Sequence, residues 1–198
     1  MSINDEYVLW LHRIEPHACG LRPPEGFEDV WLLQEGGALA GSWPSDVVMP
    51  MNPDNPADMR LTDSLFNISS LLVLSERAAD FLAGKGLEHL ELLPIGVRDH
   101  KGKLVDARHF VLNLSAHEPL LDPQRSDAQP ALVPGEYRAV NAGIVLLENA
   151  EDRPPPLFRL QGFGIPTLVS RELAAEIDAQ GFSGIAWGEL TAFRDRTW

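Results

Sequence analysis

The sequence predicts an α+β fold: one domain over residues 1–198, with a mixed or mainly antiparallel sheet and two helices. Three observations carry that reading. Short runs of β-branched and aromatic residues recur between turn residues. Two segments, after Ser75 and after Ser170, carry an apolar stripe at helical spacing. Those segments are also related, because a shift of 95 residues aligns Ser75 with Ser170, Ala79 with Ala174 and Gly86 with Gly181 without a gap. Around these identities apolar meets apolar: Val73 with Leu168, Leu74 with Val169, Leu82 with Ile177, Leu87 with Phe182, Leu90 with Ile185, Leu92 with Trp187. Each copy reads strand, serine cap, helix, glycine stop, strand. This is a repeated packing unit and says nothing of chemistry.

Along the chain, Tyr7 to Ile14 reads as a first strand and Val30 to Leu33 as a second, short one. From Gly36 to Pro56 seven glycines and prolines predict a long loop with extended pieces. Ser70 to Leu74 is a buried strand, and Ser75 caps a helix with Ala78, Phe81 and Leu82 on its apolar face. Gly84 and Gly86 stop it. His89 to Val97 and Leu104 to Leu114 form a hairpin around the turn Asp99-His100-Lys101-Gly102. Residues 115–134 read as loop, Tyr137 to Leu147 as a long strand, and Pro154-Pro155-Pro156 as a stiff connector. Leu157 to Leu160 and Thr167 to Val169 are strands, Ser170 to Gln180 a helix, and Gly184 to Trp187 a last strand.

Composition limits the function classes. The net charge is −13, so phosphate backbones and anionic lipid repel the chain, and neither nucleic acid nor membrane is the expected partner. A basic protein fits better. One cysteine, Cys19, excludes an intramolecular disulfide and a cysteine-based zinc cluster. Met1-Ser2-Ile3-Asn4-Asp5-Glu6 lacks the basic start and apolar core of a secretory signal, so the expectation is a soluble cytoplasmic protein.

No pattern of catalytic residues emerges, and neither a cofactor nor a metal is expected. His12, His17 and Cys19 form the tightest group of metal-capable side chains, but Pro16 intervenes and no carboxylate has ligand spacing. His109 and His117 are eight residues apart across a strand end. Gly162-Phe163-Gly164 lacks the third glycine of a dinucleotide loop and reads as a turn. The adjacent carboxylates Glu28-Asp29 and Glu151-Asp152 read as solvated loop residues. A small hydrolase using His12, His17 or Cys19 stays open; a His–Cys contact within hydrogen-bond reach would favour it.

Charge distribution is more informative. Between Arg22 and Asp63 eight carboxylates face two guanidinium groups, and the same stretch holds Trp31, Trp43, Met49 and Met51. An acidic, loop-rich segment with large apolar side chains suits a protein-binding surface. The candidate contact residues are Glu25, Glu28, Asp29, Trp43, Asp46, Asp54 and Asp58, with Trp43 as apolar anchor.

Several segments also resemble a known family. These are Leu71-Leu72-Val73-Leu74-Ser75-Glu76-Arg77, Leu87 through Ile95, Asp99-His100-Lys101-Gly102-Lys103, Phe110-Val111-Leu112-Asn113-Leu114, Leu157-Phe158-Arg159-Leu160, and Leu168-Val169-Ser170 through Gly181-Phe182-Ser183-Gly184-Ile185. In this order they resemble immunity protein family eleven of bacterial polymorphic toxin systems, the myxobacterial-type immunity domain. The resemblance takes in residues 61–190 as a common core and leaves 1–60 as a variable, loop-rich N-terminal part. It implies a cytoplasmic protein, not an enzyme, that binds a cognate toxin or effector domain and neutralises it by steric occlusion. An adaptor or chaperone that loads an effector onto a secretion apparatus is the alternative within binding proteins.

Overall fold

A computed structural model describes residues 2–148 and 154–193. A one-turn helix α1 (Ile3–Glu6), capped by the Ser2 hydroxyl, leads into strand β1 (Tyr7–His12). A second helical turn, α2 (Leu32–Glu35), stands where a strand over Val30–Leu33 is expected. The loops then run to β2 (Val48–Pro50) and β3 (Ser64–Leu65), followed by β4 (Leu72–Ser75), α3 (Glu76–Ala83), β5 (Leu90–Arg98) and β6 (His109–Leu114). Next come β7 (His117–Glu118), β8 (Ala128–Pro130) and β9 (Tyr137–Val140). The chain continues through β10 (Leu157–Leu160), β11 (Phe163–Ser170), α4 (Arg171–Ala179), β12 (Ile185–Gly188) and a 3-10 turn at Leu190–Ala192. The class is mixed α+β with mostly sheet, as the sequence predicts.

The first strand ends at His12 and not Ile14, and three further expected strands are shortened or replaced, each for a local reason. Tyr137 to Leu147 is strand only to Val140, because the chain turns at Gly143 with φ +87°, where any Cβ would meet the Thr191 carbonyl at 2.6 Å. The return strand begins at His109 instead of Leu104; Leu104 makes a single bridge to Arg98 before residues 106–107 bend away. Val30 to Leu33 coils because Leu32, Leu33, Gln34 and Glu35 donate their backbone N–H groups back to Asp29, Val30 and Trp31. The expected loop over 115–134 includes β7 and β8.

Both repeat copies form as predicted. Ser75 and Ser170 are extended N-caps whose hydroxyls accept from Ala78 N and Leu173 N, three residues on. Gly86 and Gly181 follow the two helices at φ +63° and +64°, the left-handed conformation that glycine adopts without strain.

The residues group into two compact units. One is formed by residues 2–11, 116–148, 154–180 and 187–193. Its sheet has the order β12-β1-β11-β10-β7, with Tyr7, Leu9, Phe158, Leu160 and Leu168 in its buried cluster. Val8, Leu157 and Val169 alternate to the opposite face, where α4 buries Leu173, Ala174 and Ile177. The other unit holds residues 12–115 and 181–186. Its sheet has the order β2-β5-β6-β4-β3. Val73, Leu93, Ile95, Val97 and Val111 pack with Cys19, Leu21, Leu33, Val47, Met49 and Met51 from the N-terminal loops. The alternate residues Leu72, Leu74 and Leu112 turn toward α3, which lies against β4 and β6.

The repeat extends further than the sequence shows. In the first copy β4 pairs antiparallel with β6, Ser75 opposite His109 and Val73 opposite Val111. In the second, β11 pairs antiparallel with β1, Ser170 opposite Tyr7 and Leu168 opposite Leu9. β3 flanks β4 just as β10 flanks β11, so four strands recur in one order, β5-β6-β4-β3 and β12-β1-β11-β10. The strand equivalent to β6 is therefore supplied by the chain's first strand.

Candidate functional site

The acidic loops are built onto the β2–β6 sheet. Glu25 and Val48 exchange both backbone hydrogen bonds, at 2.8 and 3.0 Å, which brings the 25–29 and 43–48 segments side by side. At Gly26, φ is +84° and a Cβ would meet the Asp46 carbonyl at 3.3 Å, so the approach is close. Phe27 and Trp43 pack with their rings tilted by 45°, 4.6 Å between ring centres, and the Trp43 indole donates to the Pro94 carbonyl at 2.8 Å. Further along, the Glu91 carboxylate accepts from Leu39 N, Ala40 N and the Asn113 amide, which also donates to the Gly37 carbonyl. Burial alone would raise the Glu91 pKa; the bonds from Leu39, Asn113 and Ala40 outweigh it and hold the group ionised. One half-buried carboxylate thus fixes the loop.

The predicted contact residues divide into groups. Glu28, Asp29 and Asp46 are exposed, and among the described residues no cation lies within ion-pair distance of them. Glu25 is committed to Arg98, whose guanidinium reaches both carboxylate oxygens at 2.6 and 2.5 Å. Asp54 stands 4.0 Å from Arg22, and Asp58 lies 3.8 Å from His17 Nδ1 while its carbonyl faces His100 Nε2 at 3.4 Å. Trp43 is half-buried with its indole N–H satisfied, which makes it part of the platform and not an exposed anchor. Among the described residues the exposed tryptophan is Trp31, whereas the sequence places the anchor at Trp43. A strand over Val30–Leu33 would place Trp31 and Leu33 on one face. The α2 turn separates them, burying Leu33 and exposing Trp31.

The groups considered for chemistry are distributed otherwise. Cys19 is 1% exposed, and burial pushes its thiol up to about 11. Among the described residues no imidazole is hydrogen-bonded to its sulfur. His12 Nδ1 is 3.3 Å from Ser64 Oγ, its ring lies edge-on to Phe66, and burial lowers its pKa. His17 lies in a turn at φ +60°, exposed. His109 is buried beside the Ala107 carbonyl, and His117 is pushed down to about 4 by burial and the Arg159 charge. Gly162 is a turn glycine whose Cβ would stand 2.2 Å from the Gly135 carbonyl. Glu28 and Asp29 are solvated, while Glu151-Asp152 lies outside the described residues. Among the described residues no group of three His, Cys, Asp or Glu side chains is placed to hold a metal ion, and no helix is long and apolar enough to cross a membrane.

A cleft of about 350 Å³ is lined by Thr62, Asp63, Ser75, Glu76, Arg77, Arg108 and His109. Its charges are matched internally. Asp63 accepts from Ser75 Oγ at 2.8 Å, Arg77 Nη2 at 2.8 Å, and Ser183 N and Oγ, both at 2.9 Å. Arg108 pairs with Glu76 at 2.5 Å. Such a network holds backbone in place.

No family model matches the chain, and no curated protein matches it significantly. The functional reading therefore rests on the residues themselves.

Proposed function

We propose that the protein is an immunity protein of a bacterial polymorphic toxin system, which binds a cognate basic toxin or effector domain in the cytoplasm and neutralises it by steric occlusion, without turnover. The observation that carries the reading is free charge on fixed backbone. Glu28, Asp29 and Asp46 are exposed on loops tied by the Glu25–Val48 bridge, the Phe27–Trp43 ring contact and the Glu91 carboxylate. Asp54 adds a fourth largely exposed carboxylate on the adjoining loop. A surface already ordered before binding loses little entropy on association. Its carboxylates steer a basic partner and repel anionic ones, in line with the net charge of −13. The resemblance of residues 61–190 to immunity protein family eleven supports the same reading.

The test is to identify the gene beside this one, where a secreted protein with a toxin-like C-terminal domain is expected, and to co-express that domain with this chain. Protection of the cell and a stable complex of the two proteins are expected. Reversal of Glu28, Asp29, Asp46 and Asp54 to lysine should slow association by about tenfold or more at low salt, with the difference shrinking as salt rises. Equal association at both salts would place the interface elsewhere. Binding without loss of toxin activity would replace the immunity reading with that of a loading adaptor.

A further inference from the structure

The two copies of the repeat differ at one pair of equivalent positions. In the first copy Glu91 on β5 stands opposite Asn113 on β6. The shift of 95 residues carries Glu91 to Ala186. The shared pairing, Ser75 with His109 and Ser170 with Tyr7, carries Asn113 to Leu11. The strand order β12-β1 forms with alanine and leucine at these places, so the polar pair is not a requirement of the repeated sheet. What it serves is the loop between α2 and β2. Glu91 accepts from Leu39 N at 2.8 Å, Ala40 N at 3.2 Å and the Asn113 amide at 2.8 Å, while Asn113 also donates to the Gly37 carbonyl at 3.0 Å. Asn113 is fully buried, and its Oδ1 has no hydrogen-bond partner among the described residues. Turning the amide over would set that oxygen against the Gly37 carbonyl and the Glu91 carboxylate. Both amide N–H groups therefore stay committed to the loop and to Glu91, and one acceptor stays empty.

The tie continues into the acidic surface. The Leu39 carbonyl accepts from Ser42 N at 3.0 Å, and Trp43, next in sequence, packs on Phe27 and donates to the Pro94 carbonyl. Strand β5 thus holds the loop at two places, Glu91 and Pro94, just before Asp46 and the bridged Val48. Gly36, Gly37 and Gly41 give this loop unusual conformational freedom to lose. Without Glu91 the N–H groups of Leu39 and Ala40 and one from Asn113 lose their acceptor together. We propose that Glu91, oriented by Asn113, is a positioning residue of the binding surface. It keeps the loop bearing Trp43 and Asp46 in one arrangement before a basic partner arrives, so that association does not wait for the loop to order. The role in binding rests on the immunity reading above, whereas the ordering of the loop is a property of the free chain.

Hydrogen exchange on the full chain is the first measurement. In Glu91→Ala the amides of Leu39 and Ala40 are expected to exchange faster by about tenfold or more, because bonds to a charged acceptor are lost. The amides of Val111 and Leu112 in the central strand β6 should stay protected and report an intact sheet. Glu91→Gln keeps one oxygen that accepts from Leu39 and Asn113, and it should retain most of the protection at Leu39. With the toxin domain identified as above, Glu91→Ala should slow association by about threefold or more at low and high salt alike, since screening does not change the fraction of chains with an ordered loop. Glu91→Gln removes the same charge and should associate at close to the parent rate in high salt. Unchanged exchange at Leu39 and Ala40 in Glu91→Ala would overturn the positioning role without any partner. So would loss of protection at Val111 and Leu112 as well, equal impairment of the two variants, or an alanine effect that vanishes at high salt. Failure of the parent chain to bind the toxin domain overturns the immunity reading instead, so the two failures are read from different chains.

Discussion

Replacing Asp63 removes more of the second unit's order than any exposed carboxylate should. Its side chain is 13% exposed and accepts from the Ser75 hydroxyl, the Ser183 N–H and hydroxyl, and the Arg77 guanidinium. Ser75 is itself the cap of α3, so the same carboxylate orients the cap. In Asp63→Ala the Ser183 N–H loses its acceptor, at a cost of about 1–3 kcal/mol, and two hydroxyl bonds to a charged acceptor are lost. The Arg77 contribution is discounted to below about 1 kcal/mol because its side chain is largely solvated. These losses are not additive, and together they amount to about 3 kcal/mol. With a urea slope of about 2 kcal/mol/M, the midpoint should fall by about 1.5 M, read by tryptophan fluorescence. Asp63→Asn keeps one carbonyl oxygen and should lose about half as much. The pH dependence provides an independent check. Burial opposes ionisation, but the bonds from Arg77, Ser183 and Ser75 outweigh it and hold the Asp63 carboxyl well below the usual carboxylate range. A depressed folded-state pKa stabilises fully above the unfolded value of about 4, and that stability is lost as pH falls from there toward the folded value. Asp63→Asn should therefore flatten the acid limb of the stability curve below about pH 4. A loss under about 1 kcal/mol in Asp63→Ala, or an unchanged acid limb in Asp63→Asn, would refute the argument.

The remaining predictions concern backbone, thiol and imidazole. Gly86→Val and Gly181→Val should each cost about 1–2 kcal/mol in urea unfolding, since their φ is positive but the space beyond is open. Gly184→Ala should cost clearly more, because its Cβ would lie 2.2 Å from the Ser64 carbonyl at φ +77°. Cys19, buried and with its thiol pushed up to about 11, should resist alkylation near neutral pH until urea unfolds the chain; prompt labelling of the native protein would contradict the packing. His117, pushed down to about 4, stabilises fully above the unfolded value of about 6.5 and loses that contribution as pH falls toward 4. His117→Gln should flatten the stability profile across that window, and an unchanged slope would exclude His117 as its source.

Much of the fold was legible because it is local. Ser75 and Ser170 bond amides three residues on, and Gly86 and Gly181 need only their own φ, so a shift of 95 residues suffices to find both. The strands around them follow from alternation. Less of the candidate site was legible. The carboxylates were visible in composition, but which of them are free was not: Glu25 is taken by Arg98, 73 residues away, whereas Glu28, Asp29 and Asp46 have no such partner among the described residues. Trp31 was lost through one misassigned turn, since a short apolar run fits a strand or a helix equally well and only the choice between them decides which side chain faces water.

The sequence by itself determined the α+β class, the two capped helices, the glycine stops and the acidic character of the N-terminal loops. Tertiary structure alone decided that β1 completes the second repeat, opposite β11. It also decided that Glu91 ties down the loop through Leu39 and Ala40, and that Trp43 turns inward while Trp31 stays out. The physical reason is range. Caps, turns and alternation are set by bonds within a few residues, whereas strand partners, long-range carboxylate ties and surface exposure depend on which distant segments the chain brings together when it closes its core.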